Sequence, residues 1–198
     1  MMNTSKLLKT TLFTVAIFTS VIGFSQEKRM QDKMNKEKTV MVGGAAMYPS
    51  KNIIENAVNS KDHTTLVAAV KAAELVDVLS GEGPFTVFAP TNNAFAKLPE
   101  GTVNTLLMTE NKKTLQTVLT YHVVAGKWNA EDVLMRIKEG KGKAEITTVS
   151  GGVITAWLKG GAVYITDANG NSAKVTIADV NQSNGVIHVI DTVLLPKS

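Results

Sequence analysis

The order of the predicted elements indicates an α+β fold. Short helical patterns dominate residues 52–139, and closely spaced strands fill residues 145–195. Early helices followed by clustered strands favour a sheet with its helices segregated beside it, whereas regular alternation would favour a parallel α/β sheet. The last strand supports the prediction, because it is apolar on both faces and is therefore expected near the centre of the sheet.

The first 25 residues have the pattern of a secretory signal peptide. Lys6 and Lys9 precede an apolar run from Leu12 to Phe24, which is too short for a membrane-spanning helix. Cleavage is expected near Ser25/Gln26. The sequence therefore predicts a secreted protein, extracellular or periplasmic, with no transmembrane segment in the mature chain.

Residues 26–50 are predicted to form a charged tether that contains four methionines. The charges are mixed in sign, and Gly43, Gly44 and Pro49 interrupt the stretch, as is typical of linkers. Thioether sulfurs also bind Cu(I), so a copper site is an alternative. The tether is preferred because no Cys or His lies nearby.

Residues 51–198 are predicted to form one folded domain that is electrically balanced. It holds fourteen basic and fourteen acidic residues and so lacks the basic surface with which proteins neutralise nucleic-acid phosphates. We therefore predict no nucleic-acid partner. The chain contains no cysteine, and its stability must come from a buried core, for which about 150 residues suffice.

Two short helices are predicted ahead of the first strand. The first covers residues 52–59, and the second follows Asp62, a suitable N-cap, and runs to residue 79. His63, at the start of the second helix, is expected to be exposed.

Residues 85–89 form a short apolar strand that Pro90 turns directly into a helix. Thr91 or Asn92 can cap this helix through a side-chain oxygen, and Phe95 then faces the core. Such a corner can hold a nucleophile or an anion, but it contains no Ser, Cys or glycine cradle. We interpret it as structural.

Two further helices, at residues 102–108 and 111–120, lead to a strand predicted at Tyr121–Val124. Residues 129–132 resemble a capping box for a helix that runs towards Glu139.

The last third of the chain is predicted to be a meander of strands. Two glycine pairs, Gly151–Gly152 and Gly160–Gly161, are spaced for tight hairpins. The strands are expected at residues 145–149, 153–158, 162–166 and 174–177.

The closing strand follows a turn at Asn184 and Gly185 and is predicted to end at Pro196, which has no N–H to donate. His188 and Asp191 are polar residues in this apolar strand, and its alternation places them on opposite faces.

Three stretches together resemble the fasciclin (FAS1) domain. Residues 83–95 are similar to the family's first conserved block, Tyr121–His122 to its Tyr-His motif, and the closing strand to its second block. The resemblance implies a FAS1 fold, a compact β-wedge or sandwich of about seven strands with several short helices packed around it. Asn92 departs from the family, in which many members carry Asp. The motif residues assigned structural roles are Phe88, Pro90, Thr91, Asn92, Phe95, Asn184, Gly185, His188 and Asp191.

Two of the three histidines lie in these motifs. His122 and His188 could meet in the folded domain and form a metal site with a carboxylate such as Asp191. The preferred interpretation is that each histidine is a core residue bonded to backbone groups. No metal, no other cofactor and no catalytic residues are predicted, because the sequence lacks the zinc-helix, serine-elbow and dinucleotide motifs. The chain is therefore not expected to be an enzyme.

The resemblance implies an adhesion module. In vertebrate fasciclin domains the Tyr-His motif and a neighbouring Asp-Ile pair are implicated in integrin binding. Here Tyr121–His122 matches the motif, and Asp179–Val180 stands in place of the pair. These four residues are predicted to form an exposed patch that binds a cell-surface or matrix protein or polysaccharide. The other interpretation is that Tyr121 belongs to the core and Asp179 caps a turn.

A second function is also implied, because some fasciclin proteins bind carotenoids. The chain could be a secreted carrier of an apolar small molecule of that kind. An enclosed apolar pocket would favour the carrier, whereas an exposed patch would favour adhesion.

Overall fold

The structure, a computed structural model, describes residues 38–197. The predicted signal peptide, its cleavage site and residues 26–37 of the predicted tether lie outside the described residues. Within residues 38–197 no helix has both the length and the apolar character needed to cross a membrane.

Seven α-helices occur within the described residues, and none is longer than ten residues. Helices this short are marginal in isolation and depend on packing and caps. Asn52 provides one such cap, since its side chain accepts the Glu55 N–H while the Glu55 carboxylate accepts the Asn52 N–H. The helices are α1 (Ile53–Ala57), α2 (Thr64–Ala72), α3 (Val76–Ser80), α4 (Asn92–Ala96), α5 (Thr102–Leu106), α6 (Lys112–Tyr121) and α7 (Ala130–Glu139).

Nine strands accompany these helices in the part of the chain that the structure describes. β1 and β2 form a separate hairpin, and the other seven make one sheet in the order β4-β3-β9-β8-β7-β6-β5. This arrangement confirms the predicted α+β class. The strands are β1 (Val40–Val42), β2 (Ala45–Met47), β3 (Phe85–Pro90), β4 (Val123–Ala125), β5 (Lys143–Thr147), β6 (Val153–Lys159), β7 (Ala162–Thr166), β8 (Ser172–Gln182) and β9 (Gly185–Ile190).

The closing strand β9 lies inside the sheet, as predicted. It pairs in parallel with β3 and antiparallel with β8, and all six of its residues are buried. The strand is shorter than predicted, since it ends at Ile190 rather than at Pro196. At Asp191 the side-chain carboxylate accepts the Lys174 N–H at 2.8 Å, while the Asp191 N–H donates to the Lys174 carbonyl at 3.2 Å.

The two faces of β3 and β9 contribute to different cores. One face carries Val87 and Val189 into a cluster with the early helices, and the other carries Phe88 and Ile190 into a cluster with α7 and the meander. This explains the absence of polar alternation in β9, since each face needs apolar side chains. The meander strands β5 and β6 bury alternate residues only.

The tether prediction is wrong for residues 40–47. β1 and β2 form a hairpin joined by Gly43 and Gly44, whose positive φ values of 57° and 78° suit a two-residue turn. Val42 and Met47 are buried in the core beside the early helices. Three-residue strands are too short for a clear periodic signal, and the glycines that indicated a linker form the hairpin turn instead.

Candidate functional site

Tyr121 is a core residue, and the prediction that it forms part of an exposed patch is wrong. It is the last residue of α6 rather than the start of a strand, and its exposed fraction is 0%. Its hydroxyl donates to the Val153 carbonyl at 2.8 Å and accepts the Ala168 N–H at 2.9 Å. Burial raises the pKa of the phenol. Tyr121 therefore ties α6 to the start of β6 and to the turn after β7.

His122 is equally inaccessible to a partner, so its predicted contact role is also wrong. The ring lies at the C-terminal end of α6, where Nδ1–H donates to the Val118 carbonyl at 2.8 Å and Nε2 accepts the Leu194 N–H at 2.9 Å. Burial lowers the pKa of His122 to about 4, although the Val118 carbonyl opposes the shift. The imidazole is therefore neutral at pH 7 and joins the helix end to the segment after β9.

His188 has both ring nitrogens bonded to backbone groups in the same manner. Nε2–H donates to the Trp128 carbonyl at 2.8 Å, Nδ1 accepts the Asp179 N–H at 3.3 Å, and the ring stacks on Phe88. Burial lowers its pKa. Within residues 38–197 no group of three or more His, Asp or Glu side chains is arranged to hold a metal ion.

Asp179 is the one residue of the predicted patch that reaches the surface. Val180 next to it is 1% exposed and faces the core, so its predicted contact role is wrong. Asp179 lies at an irregularity in β8 with a positive φ of 58°, and its Oδ1 accepts the Ala130 N–H at 2.7 Å. The carboxylate thus stabilises the N-terminus of α7, where negative charge is favourable.

An open cleft of about 500 Å³ lies beside Asp179. Its walls come from the N-terminal hairpin, the start of α7 and the irregular part of β8. The lining combines one amine, two carboxylates and two amides with apolar side chains, which gives a polar partner both hydrogen-bond donors and acceptors. The polar residues of this cleft, called the Asp179 cleft below, are Lys38, Asn129, Glu131, Asp179 and Asn181.

Comparison with known proteins identifies the family. The model of the fasciclin domain matches residues 61–196. The chain belongs to the fasciclin family. Members of this family are often adhesion or interaction modules, and they are typically not enzymes.

Relatives of this fasciclin protein include proteins of Synechocystis and Mycobacterium bovis. Protein sll1483 of Synechocystis is 46% identical over 185 residues, which cover 92% of this chain and 96% of that protein. Immunogenic protein MPB70 of Mycobacterium bovis is 37% identical over 152 residues, covering 72% and 67% of the two chains. The FAS1 domain pair from the insect cell adhesion molecule fasciclin I matches with a TM-score of 0.66 at 19% identity, over 81% of this chain and 58% of the pair. That likeness establishes the fold.

Asn184 holds the start of the second fasciclin motif in place. Its Oδ1 accepts the Ile53 N–H, and its Nδ2 donates to the carbonyls of Leu79 and Gly81. A Cβ on the next residue, Gly185, would overlap the carbonyl oxygen of Phe85. This pair therefore fixes two early helices and β3 against the closing strand.

The first fasciclin motif forms a similar corner. Thr91 caps α4 by accepting the Ala94 N–H, and Phe95 is buried. Asn92 instead connects this corner to α2, since its Oδ1 accepts the Thr65 N–H at 3.0 Å and its Nδ2 donates to the Lys61 carbonyl at 2.9 Å.

His63 is buried, so the expectation that it is exposed is wrong. Its Nδ1 lies 2.9 Å from the Ser60 hydroxyl oxygen, and its buried Nε2 makes no hydrogen bond of good geometry. Burial lowers the pKa of His63 despite the opposing effects of the Ala89 carbonyl and Asp62. The ring borders an apolar cavity of about 50 Å³.

The outward face of the meander was missed by sequence reasoning. Trp157 and Tyr164 lie opposite each other on β6 and β7 and stack with ring centroids 5.2 Å apart. The signal was present in the alternation of β6, in which Ile154 and Ala156 point into the core. Residues 155 and 157 must then point outward.

Proposed function

We propose that this fasciclin protein is a secreted interaction module without catalysis, extracellular or periplasmic, which binds a cell-surface or matrix protein or polysaccharide. Two facts support the class of function: the family to which the chain belongs and the basic, apolar pattern of residues 1–25. Fold alone does not fix function, so the proposal also needs an accessible surface.

The Asp179 cleft is the observation that carries the proposal. It is open, polar and close to the size of small-molecule sites, and Asp179 remains partly exposed there while its Oδ1 is bonded to Ala130. The second carboxylate oxygen of Asp179 and the exposed carboxylate of Glu131 can accept the directional hydrogen bonds that give an interface its specificity.

Two of the three buried histidines, His122 and His188, support a module without catalysis. Histidine is the side chain best suited to acid–base chemistry near neutral pH. In this protein His122 and His188 use both ring nitrogens for backbone groups, and burial lowers the pKa of each. Protonation of either ring would disrupt these hydrogen bonds.

The size of the apolar cavity disfavours the carrier function. Sites for drug-sized ligands enclose roughly 300–1,000 Å³, whereas the cavity beside His63 measures about 50 Å³. A carotenoid would require the early helices to separate from the sheet. The open cleft is therefore the better candidate site.

Binding of the purified chain to cell-envelope and matrix material from its source organism tests the proposal. Asp179→Asn removes the charge, keeps an oxygen that can accept the Ala130 N–H, and tolerates the positive φ. We expect this variant and Glu131→Gln to bind at least fivefold more weakly with little change in melting temperature. Glu110→Gln, in an exposed turn before α6, is the matched control and should bind like the parent.

Three outcomes would contradict this proposal, each in a different part. If the chain binds no envelope or matrix fraction, the proposed adhesive function is wrong. If all three variants bind equally strongly, the function stands but the cleft is not its site. Fractionation with N-terminal sequencing tests the location, since a mature chain starting near Gln26 is expected and an intact Met1 would contradict export.

A further inference from the structure

We propose that the outward face of the strands β5 to β8 is a second binding surface, and that its ligand is an anionic polysaccharide. The inference deepens the proposed function, because it names the class of partner, and it rests on that function. It does not depend on the Asp179 cleft.

Four side chains form a continuous row across the meander. The strand register places Lys143 opposite Trp157, Trp157 opposite Tyr164, and Tyr164 opposite Lys174. Directly opposite residues point to the same face of a sheet. The row, called the aromatic row below, therefore has two stacked rings in its middle and an amine at each end.

A row of polar side chains runs beside the aromatic row. It consists of Glu145, Thr155, Thr166 and Ser172, which the same register aligns. Trp157 Nε1–H donates to the Thr166 hydroxyl at 2.8 Å, and this hydroxyl lies 2.8 Å from that of Ser172. The indole and the hydroxyls are thus held in fixed positions before any ligand arrives.

The opposite face of the same strands packs into the core, which leaves the aromatic row on the outside. Ile154 and Ile165 are fully buried on the inner face, where Val133 and Ile137 of α7 join them in one cluster. Lys143 and Lys174 are exposed, whereas Trp157 and Tyr164 are half-buried because they shield each other.

The chemistry of this face matches a carbohydrate chain with negative groups. Aromatic rings provide apolar contact area with a polar tip, and the row of hydroxyls with Glu145 offers donors and acceptors to sugar hydroxyl groups. The outward positions of the meander carry three lysines, Lys143, Lys159 and Lys174, against one acid. This excess of positive charge occurs in a domain that is neutral overall.

The spacing of the two amines favours an extended ligand. Lys143 and Lys174 are separated by three strand intervals, roughly 14 Å at the usual strand spacing. A chain lying across the strands can therefore reach both amines while its middle passes over the two rings. Carboxylate and sulfate groups are both suitable partners for an amine, which binds anions as a point charge.

Affinity electrophoresis and tryptophan fluorescence with defined polymers test the inference. The probes are alginate for uronate groups, dextran sulfate for sulfate groups and unmodified dextran as the neutral control. Polyglutamate and single-stranded DNA represent an acidic protein and a nucleic acid. We expect binding to alginate, dextran sulfate or both, at least tenfold tighter than to the other three, and the two arms distinguish uronate from sulfate recognition.

The variants separate the aromatic row from the rest of the surface. The double variant Lys143→Gln with Lys174→Gln should weaken binding at least tenfold. The control is the double variant Lys61→Gln with Lys113→Gln, which makes the same change in charge at exposed lysines elsewhere. It should have little effect on binding. The fluorescence change on binding should disappear in Trp157→Phe and persist in Trp128→Phe.

Three outcomes would overturn the inference: equal binding of dextran, equal binding of polyglutamate or DNA, or equal loss in the two lysine pairs. If the parent chain still binds envelope or matrix material in these cases, the proposed function stands and this surface alone is excluded. If it binds neither the polymers nor that material, both proposals fail.

Discussion

The pair β3–β9 and the meander β5–β8 belong to one sheet, yet they use their side chains in different ways. β9 is buried on both faces and carries residues of the second fasciclin motif, including Gly185 and His188. The meander buries one face and exposes the other, with Trp157 and Tyr164 among its outward residues. Motif residues in the first region stabilise the fold. We therefore expect partner specificity to depend on outward positions, about which the motifs say little.

Replacement of His122 by alanine should have the largest effect on stability. The change removes a buried ring and leaves the Leu194 N–H and the Val118 carbonyl without partners, so we expect a loss of about 4 kcal/mol in the free energy of unfolding. Denaturant titration measures it. Lys143→Ala on the outward face is the control and should stay within about 0.5 kcal/mol. An equal loss in the free energy of unfolding for the two variants would contradict the difference between the buried region and the meander.

Acid should lower the free energy of unfolding through the buried His122 ring. The pKa of His122 falls from 6.5 to about 4 on folding, so between these values the unfolded chain binds more protons than the folded one. Stability is then complete above pH 6.5 and decreases as the pH falls towards 4, by about 3 kcal/mol for this group.

Unfolding at several pH values in His122→Gln checks that assignment. The variant should be less stable than the parent at pH 7 but should have a flatter pH dependence between 6.5 and 4. If the free energy of unfolding of the variant changes with pH as steeply as that of the parent, other groups cause the acid sensitivity.

Tyr121→Phe should lower the free energy of unfolding by less than His122→Ala does. It should leave binding unchanged, which distinguishes a role in stability from a role in recognition. It keeps the ring and removes the hydroxyl that serves Val153 and Ala168, so we expect a loss of about 2 kcal/mol. Binding to envelope material, measured well below the melting temperature, should equal that of the parent. If the fully folded variant binds more weakly than the parent, Tyr121 contributes to recognition of the partner.

The smallest effect is expected for Asn92→Asp, which introduces the residue that many fasciclin domains carry. The carboxylate can still accept the Thr65 N–H and adds negative charge near the start of α2, but it can no longer donate to the Lys61 carbonyl. These effects oppose each other, so the free energy of unfolding should change by less than about 1 kcal/mol. A larger shift in either direction would identify one of the two interactions as dominant.

Sequence reasoning succeeded where a signal was local and repeated. The apolar character of β9 on both faces indicated its position inside the sheet, and the glycine pairs located the hairpins of the meander. Three motifs in order indicated the family and therefore the fold.

Sequence reasoning failed where burial depends on distant partners. Tyr121 is predicted at a surface because it follows a helix and begins a strand, but it is buried by partners at Val153 and Ala168, which are more than 30 residues away. His63 is buried by packing among the early helices and β3. The outward pair Trp157 and Tyr164 was detectable in principle, because strand alternation separates it from Ile154 and Ile165.

The position of β9 between β3 and β8 also affects the biosynthesis of the protein. Ribosomes add roughly 5–20 residues per second, and until residues 185–190 are made, β3 and β8 have no strand to join them. The nascent chain therefore cannot complete its seven-stranded sheet before β9 has been translated. A product cut short before Gly185 would leave apolar strand edges open, and chaperones and proteases can recognise such edges.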